Sequence, residues 1–162
     1  MALQASRRWY TDRAAWRLIG LRYVPRLVAL NLAWEIAQLP LYSLWAEGSP
    51  AFIAFSVVHC TLGDAIVGAA ALALALIATR APALARWRWG RIAVALALAG
   101  AGYTILSEWV NTAALDNWTY SQSMPILHVF AAEIGLSPLM QWLLLPPLAL
   151  WLALSAIKGE RT

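Results

Sequence analysis

The sequence predicts an all-α integral membrane protein: a four-helix transmembrane bundle with both termini in the cytoplasm and an N-terminal amphipathic helix at the membrane interface. The 162 residues are 62% hydrophobic and only 12% charged, with a mean hydropathy of +0.64. A soluble domain is about half apolar and about a quarter charged. Four long apolar stretches and a one-sided distribution of basic residues complete the prediction. This composition excludes a disordered chain, a nucleic-acid-binding module and an ordinary soluble enzyme.

Four stretches are long enough to cross a bilayer, for which a helix needs about 20 mainly apolar residues. They lie at residues 27–45, 52–79, 92–111 and 138–157. The Pro146-Pro147 pair in the last stretch predicts a kink. Residues 24–158 are expected to form a single transmembrane domain, between a cytoplasmic segment at 1–23 and a cytoplasmic tail at 159–162.

Basic residues set the orientation, because Lys and Arg accumulate on the cytoplasmic side of membrane proteins. Six arginines precede the first stretch, four lie between the second and third, and Lys158 and Arg161 follow the fourth, which accounts for all 12 basic residues. The two remaining connections carry Glu47, Asp116 and Glu133 instead. Both termini and the middle connection are therefore predicted to be cytoplasmic. The Ala-, Leu- and Arg-rich composition favours a multi-pass protein of the bacterial inner (plasma) membrane.

Two accessory segments flank the predicted bundle. Residues 6–23 mix arginines with tryptophan, leucine and isoleucine, a pattern typical of a helix that lies on the cytoplasmic membrane surface. The outer connection, 112–137, contains an apolar run at 124–130 that predicts a short helix, which either lies in the membrane interface or dips into the mouth of the bundle. His128 in that run is a candidate lid residue.

Three carboxyl groups fall inside the predicted spans: Glu35, Asp64 and Glu108. An ionisable group within a membrane costs a few kcal/mol, so such groups usually face protein or water and have a function. At about 100° per residue, each of the three shares a helix face with other polar side chains. These polar faces predict a pocket in the extracytoplasmic half of the bundle.

The same polar faces supply the candidate site residues. Two carboxyl groups, one neutral and one ionised, can donate a proton at one point of a site and accept one at another. Glu35 is the candidate proton donor or acceptor, and Glu108 and Asp64 are its charge partners in the catalytic set. The candidate substrate-binding residues are Asn31, Gln38, Tyr42, Tyr103, Ser107, Asn111 and Gln141.

A structural interpretation of these residues stands beside the functional one. Polar side chains commonly join transmembrane helices, each contributing about 1 kcal/mol. Taken singly, Asn31, Gln38, Ser107 and Gln141 favour that interpretation. Glu35 and Glu108 favour function, because glutamine could make the same contact without the charge. For Asp64, the structural and the functional interpretation have equal weight.

The sequence predicts neither a metal nor another cofactor. The single cysteine, Cys60, excludes an internal disulfide and any Cys-pair metal motif. His59, Cys60, Asp64 and His128 match no standard ligand spacing, and the two histidines are poorly placed for a haem between spans. No nucleic-acid partner is expected.

Four segments carry a resemblance to known proteins: 31–42 (NLAWEIAQLPLY), 60–64 (CTLGD), 103–111 (YTILSEWVN) and 135–142 (GLSPLMQW). Together they resemble small bacterial inner-membrane proteins with no assigned activity. The Asn31–Glu35 run is also similar to the first acidic motif of integral-membrane terpene cyclases. That resemblance implies that Glu35 would protonate an isoprenoid. Those enzymes are larger, so this chain would match them as a fragment or as one partner of a heteromer.

Three functions follow from these observations. In the first, the acidic pocket binds a lipophilic small molecule, and acid–base chemistry of the isomerase or cyclase type would transform it. The second is a non-enzymatic accessory or assembly subunit that contacts other membrane subunits. The third is a proton or cation conduit. The expected partners are the lipid bilayer, the lipophilic molecule and, in the second case, other subunits; whether the protein is an enzyme stays open.

Overall fold

The computed structural model describes residues 8–115, 117–129 and 132–159, and this part of the chain is mostly helical. π-helical turns lie at Ile19–Tyr23 and at Val110–Ala114. Short 3-10 turns lie at Trp9–Thr11, Leu39–Leu41 and Leu84–Arg86. The helices are α1 (Arg13–Leu18), α2 (Val24–Gln38), α3 (Leu44–Glu47), α4 (Pro50–Ala78), α5 (Trp89–Trp109) and α6 (Leu136–Gly159), and the strands are β1 (Ile126–Val129) and β2 (Ala132–Gly135).

Three helical segments of the described chain are long and apolar enough to cross a membrane: Pro50–Ala78, Trp89–Ala114 and Leu136–Ile157. They correspond to the second, third and fourth predicted spans, and they confirm the all-α class. A serine cap starts the first of them, where the Ser49 side chain accepts a hydrogen bond from the Phe52 N–H. The last continues through Pro146 and Pro147 as one helix.

The predicted first span, 27–45, differs from the structure at its end. Helix α2 stops at Gln38, and a 3-10 turn and an extended Tyr42 follow it. Pro40 explains the early stop, because proline supplies no N–H for the Ile36 carbonyl and its ring crowds that carbonyl. With 15 residues, α2 alone is about 22 Å long, whereas the hydrocarbon core is about 30 Å thick.

The four long helices pack in a cycle, with α2 and α5 each against both α4 and α6. Apolar packing is concentrated at one end, which we call the arginine end and which includes residues 8–17 and 79–91. There Tyr23 is buried and its hydroxyl donates to the Gly68 carbonyl at 3.1 Å. The largest buried side chains of this core are Leu18, Leu27, Leu72, Leu76, Ile92, Leu96 and Leu150.

The N-terminal segment packs against the arginine end. Asp12 caps α1 by accepting from the Ala14 N–H, and its other oxygen accepts from the Leu84 N–H at 2.8 Å. Ala15 and Leu18 are buried in the core, whereas Trp16 is half exposed. Residues 1–7 of the predicted interfacial segment, and the last three residues of the predicted tail, lie outside the described residues.

The opposite end, which we call the hairpin end, consists of the connections at 39–49 and 117–135. Backbone bonds join the two connections, from the Ser43 N–H to the Thr119 carbonyl at 3.1 Å and from the Ser121 N–H to the Leu41 carbonyl at 2.9 Å. The short helix predicted at 124–130 is wrong: the run forms β1, which pairs with β2 in an antiparallel hairpin. Its β-branched residues and Pro125 favour an extended strand. Asp116 and Phe130 lie outside the described residues.

Helices α5 and α6 approach each other closely at Gly100. A Cβ atom at this position would lie 2.9 Å from Trp142 Cε3 and 3.2 Å from the Trp142 carbonyl oxygen. That carbonyl lacks its usual helical donor, because Pro146 stands four residues later. Gly102, by contrast, has no neighbour within 4 Å of an added Cβ.

Gly100→Ala is therefore expected to destabilise the protein. Crowding a packed interface costs about 1–3 kcal/mol, which exceeds the helix-propensity gain of about 1 kcal/mol that alanine brings. Gly102→Ala is the matched control on the same helix, and it should leave stability unchanged or raise it by up to about 1 kcal/mol. Unfolding of the purified variants in a mild detergent measures both changes. Equal stability of the two variants would contradict the close approach.

Candidate functional site

A cavity of ≈ 980 Å³ lies at the hairpin end, between the ends of α2, α4, α5 and α6. Its volume is at the upper end of the range of small-molecule sites. We call it the acidic cavity, because three carboxyl groups from three helices line it. The principal lining residues are Glu35, Gln38 and Tyr42; Phe52, Phe55, Cys60, Gly63 and Asp64; Tyr103, Thr104, Ser107, Glu108 and Asn111; and Pro138, Gln141 and Trp142.

Gln141 on α6 is the centre of the polar network in the cavity wall. Its side chain is only 2% exposed. Its Nε2 lies 3.0 Å from Asn31 Oδ1, 3.0 Å from Glu35 Oε1 and 2.9 Å from Asp64 Oδ2. Since an amide nitrogen carries two hydrogens, the three acceptors must share them. The single side chain thus connects α6 to α2 and α4.

Gln38 supports the same network from α2. Its Nε2 donates to Glu35 Oε1 at 2.9 Å and to Gln141 Oε1 at 3.2 Å. Its own Oε1 accepts from the Ser137 hydroxyl at 2.9 Å. Contacts on both sides therefore orient the side-chain amides of Gln38 and Gln141, and these two amides hold the Glu35 carboxyl in place.

Glu35 and Asp64 form a pair. Both accept from the Gln141 Nε2, Glu35 Oε1 at 3.0 Å and Asp64 Oδ2 at 2.9 Å. Two carboxyl groups can bond directly only when one of them carries a proton, because an ionised carboxylate has no donor. With one proton between them, two carboxyl groups this close can give up or take up a proton, which is the arrangement that acid–base chemistry requires.

Glu108 occupies the other side of the cavity and is 5% exposed. The Tyr120 hydroxyl donates to Glu108 Oε2 and accepts from the Gly135 N–H at 2.9 Å. Burial, reinforced by the adjacent Glu108, raises the pKa of the Tyr120 phenol above its ordinary value. The phenol therefore stays protonated and donating at neutral pH, and its stabilising effect is lost only as the pH rises through that raised value.

Most of the sequence-predicted site residues converge on the cavity. The structure brings together Glu35, Asp64, Glu108, Gln38, Tyr42, Tyr103, Ser107, Asn111 and Gln141 in its lining. Asn31 is buried behind the lining and accepts the bond from Gln141. His128 is not brought to the cavity: it lies on β1 with 73% of its side chain exposed, 3.9 Å from Glu133.

Two residues of the network were not among the predicted site residues. Ser137 lies four residues before Gln141 on the same helix face, so the periodic signal that identified Gln141 could have included it. Tyr120 lies in a connection, where no helical or strand period indicates which side chain turns toward the bundle. Its contact with Glu108 depends on how the chain folds back.

The charge of the lining is one-sided. Glu47 joins the other three carboxyl groups, and no lysine or arginine is among the lining residues that the structure describes. Those residues also contain no group of three or more His, Cys, Asp or Glu that could hold a metal ion. The cavity is closed toward the arginine end by the apolar core.

Tyr120→Phe is expected to weaken the hairpin end. The change leaves the Glu108 carboxylate and the Gly135 N–H without the hydroxyl, a loss of about 1–3 kcal/mol. Unfolding in detergent measures the loss, and faster hydrogen exchange at the Gly135 amide locates it. Tyr10→Phe is the control, because the Tyr10 side chain is exposed at the opposite end. If both variants matched the parent protein, the Tyr120 contact would contribute nothing.

The chain matches no protein-family model, no curated protein and no solved structure. The two resemblances noted in the sequence therefore stay predictions.

Proposed function

We propose that the protein binds a lipophilic small molecule in the acidic cavity and transforms it by acid–base chemistry of the isomerase or cyclase type. The observation that carries this proposal is the convergence of Glu35, Asp64 and Glu108, from three helices, on one cavity. A carboxyl group within a membrane costs a few kcal/mol. Three of them around a space large enough for a ligand are better explained by a site than by helix contacts alone.

The proposal assigns a role to each part of the lining. Glu35 exchanges the proton of the Glu35–Asp64 pair with the bound molecule, while Gln141 and Gln38 orient the pair. Glu108 supplies a second negative charge. Tyr42, Tyr103, Ser107 and Asn111 contact the substrate.

The proposal places the cavity in the outer half of a four-span bundle. Helical structure runs from Arg13 through the π turn to Gln38, and we propose that its second half crosses the membrane as the first span. The arginine end then faces the cytoplasm, in agreement with the positive-inside rule. Exposed Tyr10, Trp16 and Leu21 would lie at the cytoplasmic interface of a bacterial inner membrane.

The other two functions receive less support. A conduit requires polar groups across the whole bundle, whereas the arginine end is filled by leucine, isoleucine and alanine side chains. An accessory-subunit role predicts partner chains and needs no cavity. A stable stoichiometric partner after gentle extraction would favour that role over the proposed one.

Glu35→Gln tests the proposed chemistry. Glutamine keeps the oxygen that accepts from Gln38 and Gln141, so folding and membrane insertion should be preserved. It cannot exchange a proton, so turnover should be abolished and retention of the lipophilic molecule reduced about tenfold or more, equal to about one charge-assisted hydrogen bond. Mass spectrometry of small molecules retained after mild extraction measures the change.

Glu133→Gln is the matched control, because Glu133 lies exposed on the hairpin outside the acidic cavity. It should retain the molecule as the parent protein does. A Glu35→Gln variant that also retains and converts the molecule normally would defeat the assignment.

The four-span topology is tested with single cysteines in a Cys60→Ser background. Ala46→Cys and Gln122→Cys at the hairpin end should react with an impermeant maleimide in spheroplasts, since their side chains are exposed. Ala14→Cys and Ala85→Cys at the arginine end should react only after lysis. Reaction of Ala14→Cys in intact spheroplasts would mean that residues 13–38 do not cross the membrane.

A further inference from the structure

The acidic cavity opens toward the lipid-facing surface between α4 and α5. Phe55 on α4 and Tyr103 on α5 both line it, yet they are 60% and 43% exposed. Tyr103 lies six residues before the end of α5, about 9 Å along the helix. A residue that lines a cavity and is also exposed marks its opening. The opening therefore extends from the hairpin end, where Glu47 and Asn117 also line the cavity and are exposed, along the sides of these two helices.

The floor of the cavity has the opposite character. Gln38, Thr104, Glu108 and Gln141 are all at least nine-tenths buried and line it. Buried polar groups therefore lie deep, and exposed aromatic groups lie at the part of the opening between α4 and α5. A molecule that fits this gradient has a polar head and an apolar chain that reaches the bilayer.

The carboxyl groups of the cavity determine which kind of head group it would bind. Four carboxyl groups line the cavity: Glu35, Asp64, Glu108 and Glu47. With no lysine or arginine in the described lining, an anionic head would add like charge in a region of low dielectric, where repulsion is strong. A cationic head would neutralise this charge and form charge-assisted hydrogen bonds to the carboxylates.

Aromatic rings in the lining also favour a cationic head group. Tyr42, Phe52, Phe55, Tyr103 and Trp142 surround the cavity, and the Tyr103 and Trp142 rings meet edge to face with centroids 5.6 Å apart. The faces of aromatic rings attract cations, and the attraction increases when water is excluded.

We infer that the ligand of the acidic cavity is a lipophilic amine, bound as its ammonium ion to the Glu35–Asp64 pair and Glu108, with its chain leaving between α4 and α5. This inference rests on the proposed binding function and adds the chemical class of the ligand to it.

Three amphiphiles of equal chain length test the inference: dodecylamine, dodecanol and dodecanoate. The purified full chain in an uncharged detergent is titrated with each, and binding is followed by native mass spectrometry. We expect dodecylamine to bind about tenfold or more tightly than the other two, the effect of about one hydrogen bond to a charged group. Equal or tighter binding of dodecanol or dodecanoate would overturn the amine inference and leave the pocket itself intact. Binding of none of the three would contradict the proposed function as well.

Two variants make the test specific. Gly63 lines the cavity and has no neighbour within 4 Å of an added Cβ, so Gly63→Leu should fill the cavity without disturbing the fold and should weaken dodecylamine binding. Gly102→Leu is the matched control, since Gly102 is equally open and lies outside the lining. Equal dodecylamine binding by the two variants would show that the amine binds elsewhere and would overturn the inference.

Asp64→Asn separates charge from shape. Asparagine preserves the size of the side chain and keeps an oxygen that can accept from Gln141, but it removes a carboxyl group from the pair. The preference for dodecylamine over dodecanol should fall severalfold, while dodecanol binding stays the same. A preference that persists unchanged would overturn the assignment of the ammonium ion to the Glu35–Asp64 pair.

Discussion

The side-chain amide of Gln141 is the interaction on which the polar half of the molecule depends. One nitrogen contacts acceptors on α2 and α4, and the amide oxygen accepts from Gln38. Because an unpartnered polar group in an apolar environment costs several kcal/mol, these contacts define how the three helices align. A shift of α6 by one turn would leave Asn31, Glu35 and Asp64 without this donor together. The position of the carboxyl pair is therefore a consequence of helix register.

The two ends of the helix cycle differ in side-chain size, and this difference explains where the cavity lies. At the arginine end, leucine and alanine side chains interlock, and Gly68 lets Leu27 approach closely. Trp142 packs against Gly100 just below the cavity, so α5 and α6 touch there through a glycine. Beyond this point the helices carry longer polar side chains that bond to one another across the bundle. The space that these side chains leave unfilled is the acidic cavity.

Helices α4, α5 and α6 could be predicted from the sequence, because their length and apolar composition are local properties of the chain. The polar faces could also be predicted, since helical period places Ser107, Glu108 and Asn111 on one side of α5. The end of the first span could not be located from hydropathy, because residues 39–45 remain apolar after Pro40 ends the helix. The hairpin at 126–135 and the contact of Tyr120 with Glu108 depend on pairing between segments, which periodicity does not reveal. The same limit applies to His128, whose exposed position follows from the strand that replaced the expected helix.

A side-chain hydrogen bond, in addition to packing, connects the hairpin end to the cavity. The Tyr120 hydroxyl bonds to Glu108 and to the Gly135 N–H at the end of β2, while the Tyr120 backbone pairs with Tyr42 in the other connection. Both connections that cover the cavity thus meet at one tyrosine, which donates to a cavity carboxylate. A group that binds Glu108 has to share this carboxylate with Tyr120. For the proposed ligand, that one hydrogen bond would couple occupancy of the cavity to the order of the hairpin end, with no contact to His128.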